Sequence, residues 1–240
     1  MVGKSQIKLI RSLHQKKYRN QNGLFIVEGI KAVKEVLASP IQAFKIFSTS
    51  PESIDDKNVE VTFISDAELK QMSTLKNPNS VLGVFYIPQT DKIEFNEWIV
   101  VLDDVRDPGN LGTIIRLCDW FGIPHLVCSP QTVDCYNPKV LQATMGSISR
   151  VNIVYEDITS FLKDCPLPVY GAFMGGTSHY SQNLPKAGIL VMGNEANGIS
   201  SQVENLLSEK ISIPQFGKKT TESLNVATAT AILLSAVRKG

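Results

Sequence analysis

Histidine and cysteine are scarce in this sequence, and neither is grouped. The three histidines (His14, His125, His179) are scattered, and the four cysteines (Cys118, Cys128, Cys135, Cys165) show no CxxC spacing. No metal site is therefore expected, and unpaired thiols suit a reducing cytoplasm. No apolar run approaches the ~18 residues of a transmembrane helix. Lys4, Lys8, Arg11, Lys16 and Lys17 interrupt the N-terminal segment, so no signal peptide is expected. GxGxxG is missing, which removes the classical dinucleotide fingerprint. GxSxG is missing too, and no Ser-His-Asp set is evident. Acidic residues are absent from positions 1–22, which hold six Lys/Arg.

That last absence shapes the charge distribution. The 240 residues have a net charge of +1, yet everything after position 22 sums to −5. A basic N-terminal segment on a mildly acidic body offers one face to a polyanion such as RNA. A solvated helix face is the plainer alternative. The candidate phosphate contacts are Lys4, Lys8, Arg11, Lys16, Lys17 and Arg19. Hydrophobic residues make up 43% and charged residues 20%, ordinary values for a globular chain that can bury its own core.

Two domains are expected. Residues 1–90 read as a small α/β unit: a helix over Ser5–Tyr18 broken by Gly23, strands at 24–27, 43–48, 59–64 and 81–86, and a helix at 66–75 opened by a Ser65/Glu68 capping box. Residues 87–96 are polar and contain proline, as a linker would. Residues 97–240 alternate strand and helix. Apolar strands are expected at 98–102, 125–128, 151–154, 169–174, 188–192 and 210–213, with helices at 111–121, 137–145, 158–164, 201–207 and 223–238. The fold class is α/β, a mainly parallel sheet with helices on both faces. Ligands of such sheets sit beyond the carboxyl ends of the strands.

Three strand-end loops carry the polar residues. The first, Asp103–Arg116, places Asn110 as a helix cap and Arg116 six residues on. Spacing alone puts those two on different helical faces. Between Ile115 and Leu117, Arg116 is expected to be partly buried and partnered. The second, Ile189–Ser200, has Gly193 and Gly198 at the outer spacing of a phosphate loop. However, Ile199 stands where that motif requires Lys. Its glycines would let backbone approach a flat ligand, and Glu195 would favour the adjacent helix start. The third, Ile211–Asn225, offers Ser223 as an N-cap that could also hold a phosphate. Asn225 follows in the first turn, where asparagine is a poor helix former.

In this order, Asp-Pro-Gly-Asn-Leu-Gly-Thr-Ile-Ile-Arg, Val-Met-Gly-Asn-Glu-Ala-Asn-Gly-Ile-Ser, and Ile-Ser-Ile-Pro with Glu-Ser-Leu-Asn-Val-Ala resemble the three motifs of the SpoU/TrmH family of the SPOUT superfamily. Lys16–Arg19 and Phe25–Gly29 resemble the family's N-terminal RNA-binding domain, similar to a ribosomal-protein fold. The resemblance implies a C-terminal trefoil knot, S-adenosylmethionine as methyl donor, 2′-O-methylation of rRNA or tRNA, a cytoplasmic homodimer and no membrane. It implies cofactor contacts at Met192, Gly193, Gly198, Ile213 and Leu224. It implies catalytic roles for Asn110, Arg116, Glu195, Ser223 and Asn225. Two departures stand out. The stretch Pro214–Glu222 is long and carries Lys218 and Lys219, and Ala196-Asn197 replaces the Gly-Lys common in relatives.

The resemblance casts the arginine as base, which a guanidinium performs poorly. Arg116 is instead expected to stabilise the developing alkoxide while Ser223 and Asn225 position phosphate and ribose. Two rivals remain at this point. One is a non-catalytic RNA-binding protein that keeps the fold, and the other is a flavodoxin-like enzyme acting on a small molecule.

Overall fold

The computed structural model describes residues 2–54, 59–217 and 223–239. Two compact units divide the chain: residues 1–89 with 134–149, and residues 90–133 with 150–240. Segment 134–149, expected to belong with the C-terminal part, packs in the first unit.

The first unit is built on a four-stranded sheet in the order β1 (Leu24–Glu28), β4 (Val81–Tyr86), β2 (Ala43–Ser48), β3 (Val61–Phe63). β1 and β2 run antiparallel to β4, and β3 runs parallel to β2. Alternate side chains of one strand serve opposite faces. Leu24, Ile26, Leu82, Val84 and Phe47 form one core with Ile10 and Leu13 and with Leu69 and Met72. Helices α1 (Lys4–Ser12) and α4 (Asp66–Met72) therefore cover that face. On the other face Phe25 meets Phe85 at 5.8 Å and Tyr136 at 4.6 Å between ring centroids. Helices α3 (Ile30–Leu37) and α6 (Pro138–Thr144) pack there, so the late segment completes the early sheet.

The helix expected over Ser5–Tyr18 is two helices, α1 and α2 (Lys16–Asn22). Long-range polar contacts explain the break. The His14 ring lies 2.7 Å from the Met72 carbonyl. The Arg19 guanidinium turns inward and donates to the Leu13 carbonyl at 2.9 Å, satisfying a group that a helix end leaves open. Arg19 also pairs with Asp134 and is only 2% exposed. This corrects one expectation: Arg19 is a buried structural cation and is withdrawn from the RNA contacts. Lys4, Lys8, Arg11, Lys16 and Lys17 are exposed, as that role requires.

The second unit holds a six-stranded sheet ordered β10 (Glu209–Ser212), β8 (Val169–Ser178), β9 (Ile189–Gly193), β5 (Ile99–Asp103), β6 (His125–Cys128), β7 (Asn152–Tyr155). Every pairing is parallel. β5 and β9 lie at its centre and are buried throughout, as continuous apolar runs such as Ile-Val-Val-Leu predict. Ile99, Val101, Ile189 and Val191 pack with Ile158 and Phe161 of α7 (Ile158–Lys163) and Val203 of α8 (Ser201–Glu204). α5 (Pro108–Trp120) packs against α9 (Val226–Val237), which also touches β9. From β5 the chain goes to β6 on one side, while β9 flanks β5 on the other. The crevice for a ligand in such a sheet lies beyond that point of reversal.

Candidate active site

The loops after β5 and β9 meet beyond the carboxyl ends of those strands. β5 ends in Asp103, which is 8% exposed and accepts the Ser200 N–H at 2.7 Å. That carboxylate serves the start of α8, whose N-cap is Ser200. The Asn194 side-chain nitrogen donates to the Asp104 carbonyl at 2.6 Å, and its side-chain oxygen accepts from the N–H groups of Ala196 and Asn197. One asparagine thus folds the second loop and moors it to the first.

Gly193 is required by the turn itself. Asn194 and Gly198 exchange backbone hydrogen bonds at 2.9 Å. A Cβ on Gly193 would lie 2.2 Å from the Gly198 carbonyl carbon. The close approach is made by the loop's own backbone.

The first turn of α5 follows from Asp107 and Pro108. Asp107 is the N-cap, accepting the Asn110 N–H at 2.8 Å, and Pro108 needs no donor at N1. Asn110, expected as the cap, is three residues into the structure that Asp107 caps. Its side chain is free for other work: it donates to Glu195 at 2.9 Å and accepts from Asn225 at 2.9 Å. Glu195 also accepts the backbone N–H of Arg106 at 3.3 Å and of Asp107 at 3.2 Å. Burial pushes the Glu195 carboxyl up. The Asn110 amide and the backbone donors outweigh it and hold the group below the usual carboxylate range.

Asn225 likewise differs from expectation. It is the N-cap of α9, accepting from Ala227 at 2.9 Å and Thr228 at 3.2 Å, so its place at the helix start has a structural cause. Ser223, expected to cap, lies ahead of the helix, exposed and without a hydrogen bond among the described residues. Asn110, Glu195 and Asn225 therefore form one hydrogen-bonded chain across three loops. Arg116 and Ser223 are not in it. Arg116 is exposed and makes no hydrogen bond or ion pair among the described residues, contrary to its expected burial. It shares an exposed stripe of α5 with Thr113 and Trp120, the latter 81% exposed.

The expected cofactor contacts lie at strand ends and in the loops that follow. Met192 and Gly193 close β9, Gly198 turns the second loop at φ +69°, and Ile213 follows β10 half-buried. Leu224 is 46% exposed beside the cap of α9, and Phe216 is 88% exposed. An apolar side chain left uncovered beside the Asn225 cap, as Leu224 is, suits a ligand with an apolar surface. Lys218 and Lys219 lie outside the described residues. No group of three or more His, Cys, Asp or Glu among the described residues is placed to hold a metal. Sequence reading passed over Asp103, Asp107 and Asn194. The signals were an acid closing an apolar strand, Asp before Pro, and Asn two residues before Ala196.

Comparison with known proteins adds to this geometry. The family model described as the SpoU rRNA Methylase family matches residues 97–235, and the MRM3-like substrate binding domain matches residues 4–83. The chain is 29% identical to the 23S rRNA (guanosine(2553)-2′-O)-methyltransferase RlmP of Bacillus subtilis, over 97% of this chain and 96% of that protein. A TrmH-family structure from Porphyromonas gingivalis superposes with a TM-score of 0.89 at 37% identity, covering 99% of this chain and 98% of that one. The AdoMet-bound rRNA methyltransferase from Sinorhizobium meliloti gives 0.86 at 28% identity, covering 99% and 96%.

Proposed function

This chain belongs to the SpoU rRNA methylase family, and from that premise we propose how its residues act. The protein is an S-adenosylmethionine-dependent methyltransferase whose acceptor is a ribose 2′-hydroxyl of RNA. The bound donor supplies a sulfonium methyl that is already electrophilic. Met192, Gly193, Gly198, Ile213 and Leu224 would hold it, and the uncovered Leu224 fits such a ligand. The same reading gives the C-terminal part the family's trefoil knot.

The observation that carries the division of labour is the hydrogen-bonded chain from Glu195 through Asn110 to Asn225. It fixes three loops relative to one another, which is what alignment of a 2′-oxygen requires. Glu195 and Asn110 are positioning residues. Asn225 caps α9, and Ser223 just ahead of that cap is exposed and able to meet phosphate or ribose. Arg116 carries a full charge without a protein partner among the described residues, so it is available to the substrate. It would stabilise charge developing on the 2′-oxygen as its proton leaves to solvent.

The test is transfer of a radiolabelled methyl group to rRNA, with the product ribose resistant to alkaline cleavage. Arg116→Ala should lower the rate about 10²–10³-fold. Unfolding should hardly change, because the side chain is exposed. Retention of most of the rate by Arg116→Lys would remove the arginine's special role.

A homodimer belongs to the same reading. α9 is Val-Ala-Thr-Ala-Thr-Ala-Ile-Leu-Leu-Ser-Ala-Val, apolar on most sides, and Ala231, Ile232, Ala236 and Val237 remain only half-buried. A helix apolar all round is normally covered. Equilibrium sedimentation should give twice the chain mass, and Ile232→Asp should give the single mass. A cytoplasmic site suits the reduced cysteines. No helix among the described residues is long and apolar enough to cross a membrane.

A further inference from the structure

The first unit carries an aromatic pair that the function has not yet used. Phe44 and Tyr86 are 42% and 40% exposed, and their ring centroids lie 5.7 Å apart at 88°. Phe44 occupies a bulge in β2, where pairing slips between Ala43 opposite Phe85 and Lys45 opposite Val84. A bulge re-aims a side chain, and here it sets one ring edge against the face of another. Tyr86 ends β4 opposite Leu24. Strand alternation places it after Leu82 and Val84 on the face that α1 and α4 cover. Those two are buried, whereas Tyr86 extends past the cover. Its hydroxyl makes no hydrogen bond among the described residues.

The charges lie close by. α2 ends at Gly23, whose carbonyl accepts the N–H of Ile87 at 2.8 Å, so the helix end and Tyr86 share one end of the sheet. Lys16 and Lys17 begin that helix, roughly 9 Å back along its axis. Lys4, Lys8 and Arg11 line one exposed stripe of α1 at spacings of four and three. No acidic residue occurs in this stretch.

We propose that Phe44 and Tyr86 form a stacking platform for an unpaired base of the substrate RNA, with the cations of α1 and α2 following its phosphates. Exposed rings beside a cationic track are the recurring means of holding single-stranded nucleic acid. A 2′-hydroxyl must also be splayed out to react, so the substrate has unpaired nucleotides to offer. The proposal rests on the RNA-methyltransferase reading and deepens it.

The full-length protein is titrated by fluorescence anisotropy with labelled dodeca-uridylate and with an abasic ribose-phosphate chain of equal length. The uridylate should bind at least about fivefold more tightly. Phe44→Leu and Tyr86→Leu should each abolish most of that difference, and Phe44→Trp and Tyr86→Phe should keep it. The aromatic substitutions should leave the salt dependence unchanged. Lys16→Gln and Lys17→Gln should each reduce its slope by about 0.7. Equal affinity of the native protein for both chains overturns the proposal without any variant. Full base preference in both leucine variants overturns it as well, and a protein partner would then be the occupant. Failure of the native protein to methylate rRNA would instead sink the underlying reading, a result that these binding data do not mimic.

Discussion

α4 and α5 begin with the same chemistry, a carboxylate accepting backbone N–H groups, and differ in how far that carboxylate has travelled along the chain. At α4, Ser65 and Glu68 cap each other across three residues, with the Val2 N–H added at 2.8 Å. At α5, Glu195 reaches back 85 to 89 residues to Asn110, Arg106 and Asp107. The local box holds one helix start. The distant carboxylate ties two loops directly and a third through Asn110, and the proposed chemistry depends on those loops. Glu195 joins loops that lie far apart in the chain, whereas the Ser65/Glu68 box serves the start of its own helix.

Three substitutions press on that contrast. The largest effect should come from Arg19→Ala, since Arg19 makes a tie of 115 residues that is buried. Leaving Asp134 without its partner should cost about 3–5 kcal/mol in urea unfolding. If that variant keeps full stability and loses only activity, burial is not what distinguishes structural from functional long-range ties. Next, Glu195→Ala should lower the methylation rate about 100-fold through misplaced loops. It should act on kcat more than on KM, and unfolding should shift by only about 1 kcal/mol. A large stability loss with an unchanged rate would make Glu195 an ordinary cap.

The smallest effect belongs to Glu68. Hydrogen bonds from the Ser65 and Val2 N–H groups hold its carboxyl down at about 2, against 4.5 for the free group. A carboxyl lowered by folding contributes stability that is complete above 4.5 and lost as pH falls toward 2. Glu68→Gln should flatten that part of an acid-unfolding profile and leave the neutral rate untouched.

The same distance governs how much could be read from sequence. The strand at Ile99–Asp103 was legible because Ile99 to Leu102 are four consecutive apolar residues, all of them buried. The Ser65/Glu68 box was legible because both partners lie in one turn. The break between α1 and α2 was not, because Met72 and Asp134 cause it from far along the chain. Motif resemblance gathered Asn110, Glu195 and Asn225 into one site, but helical spacing could not say that Asn225 rather than Ser223 caps α9. That depends on where α9 starts, and Asn110 helps to fix Asn225 there by accepting its amide at 2.9 Å. The exposed pair Phe44 and Tyr86 left no sequence signal, since a β-bulge set by cross-strand pairing turned Phe44 outward.

Segment 134–149 has a consequence for how this protein is made. Residues 1–89 leave the ribosome with strands β1 to β4 complete, but Tyr136 and helix α6, which cover Phe25, have yet to be translated. At ~5–20 residues per second the early sheet waits several seconds with that face covered by α3 alone. Vectorial synthesis cannot finish the first unit before residues 90–133 of the second have been made. A proteolytic nick near residue 89 would therefore separate a sheet from its own lid.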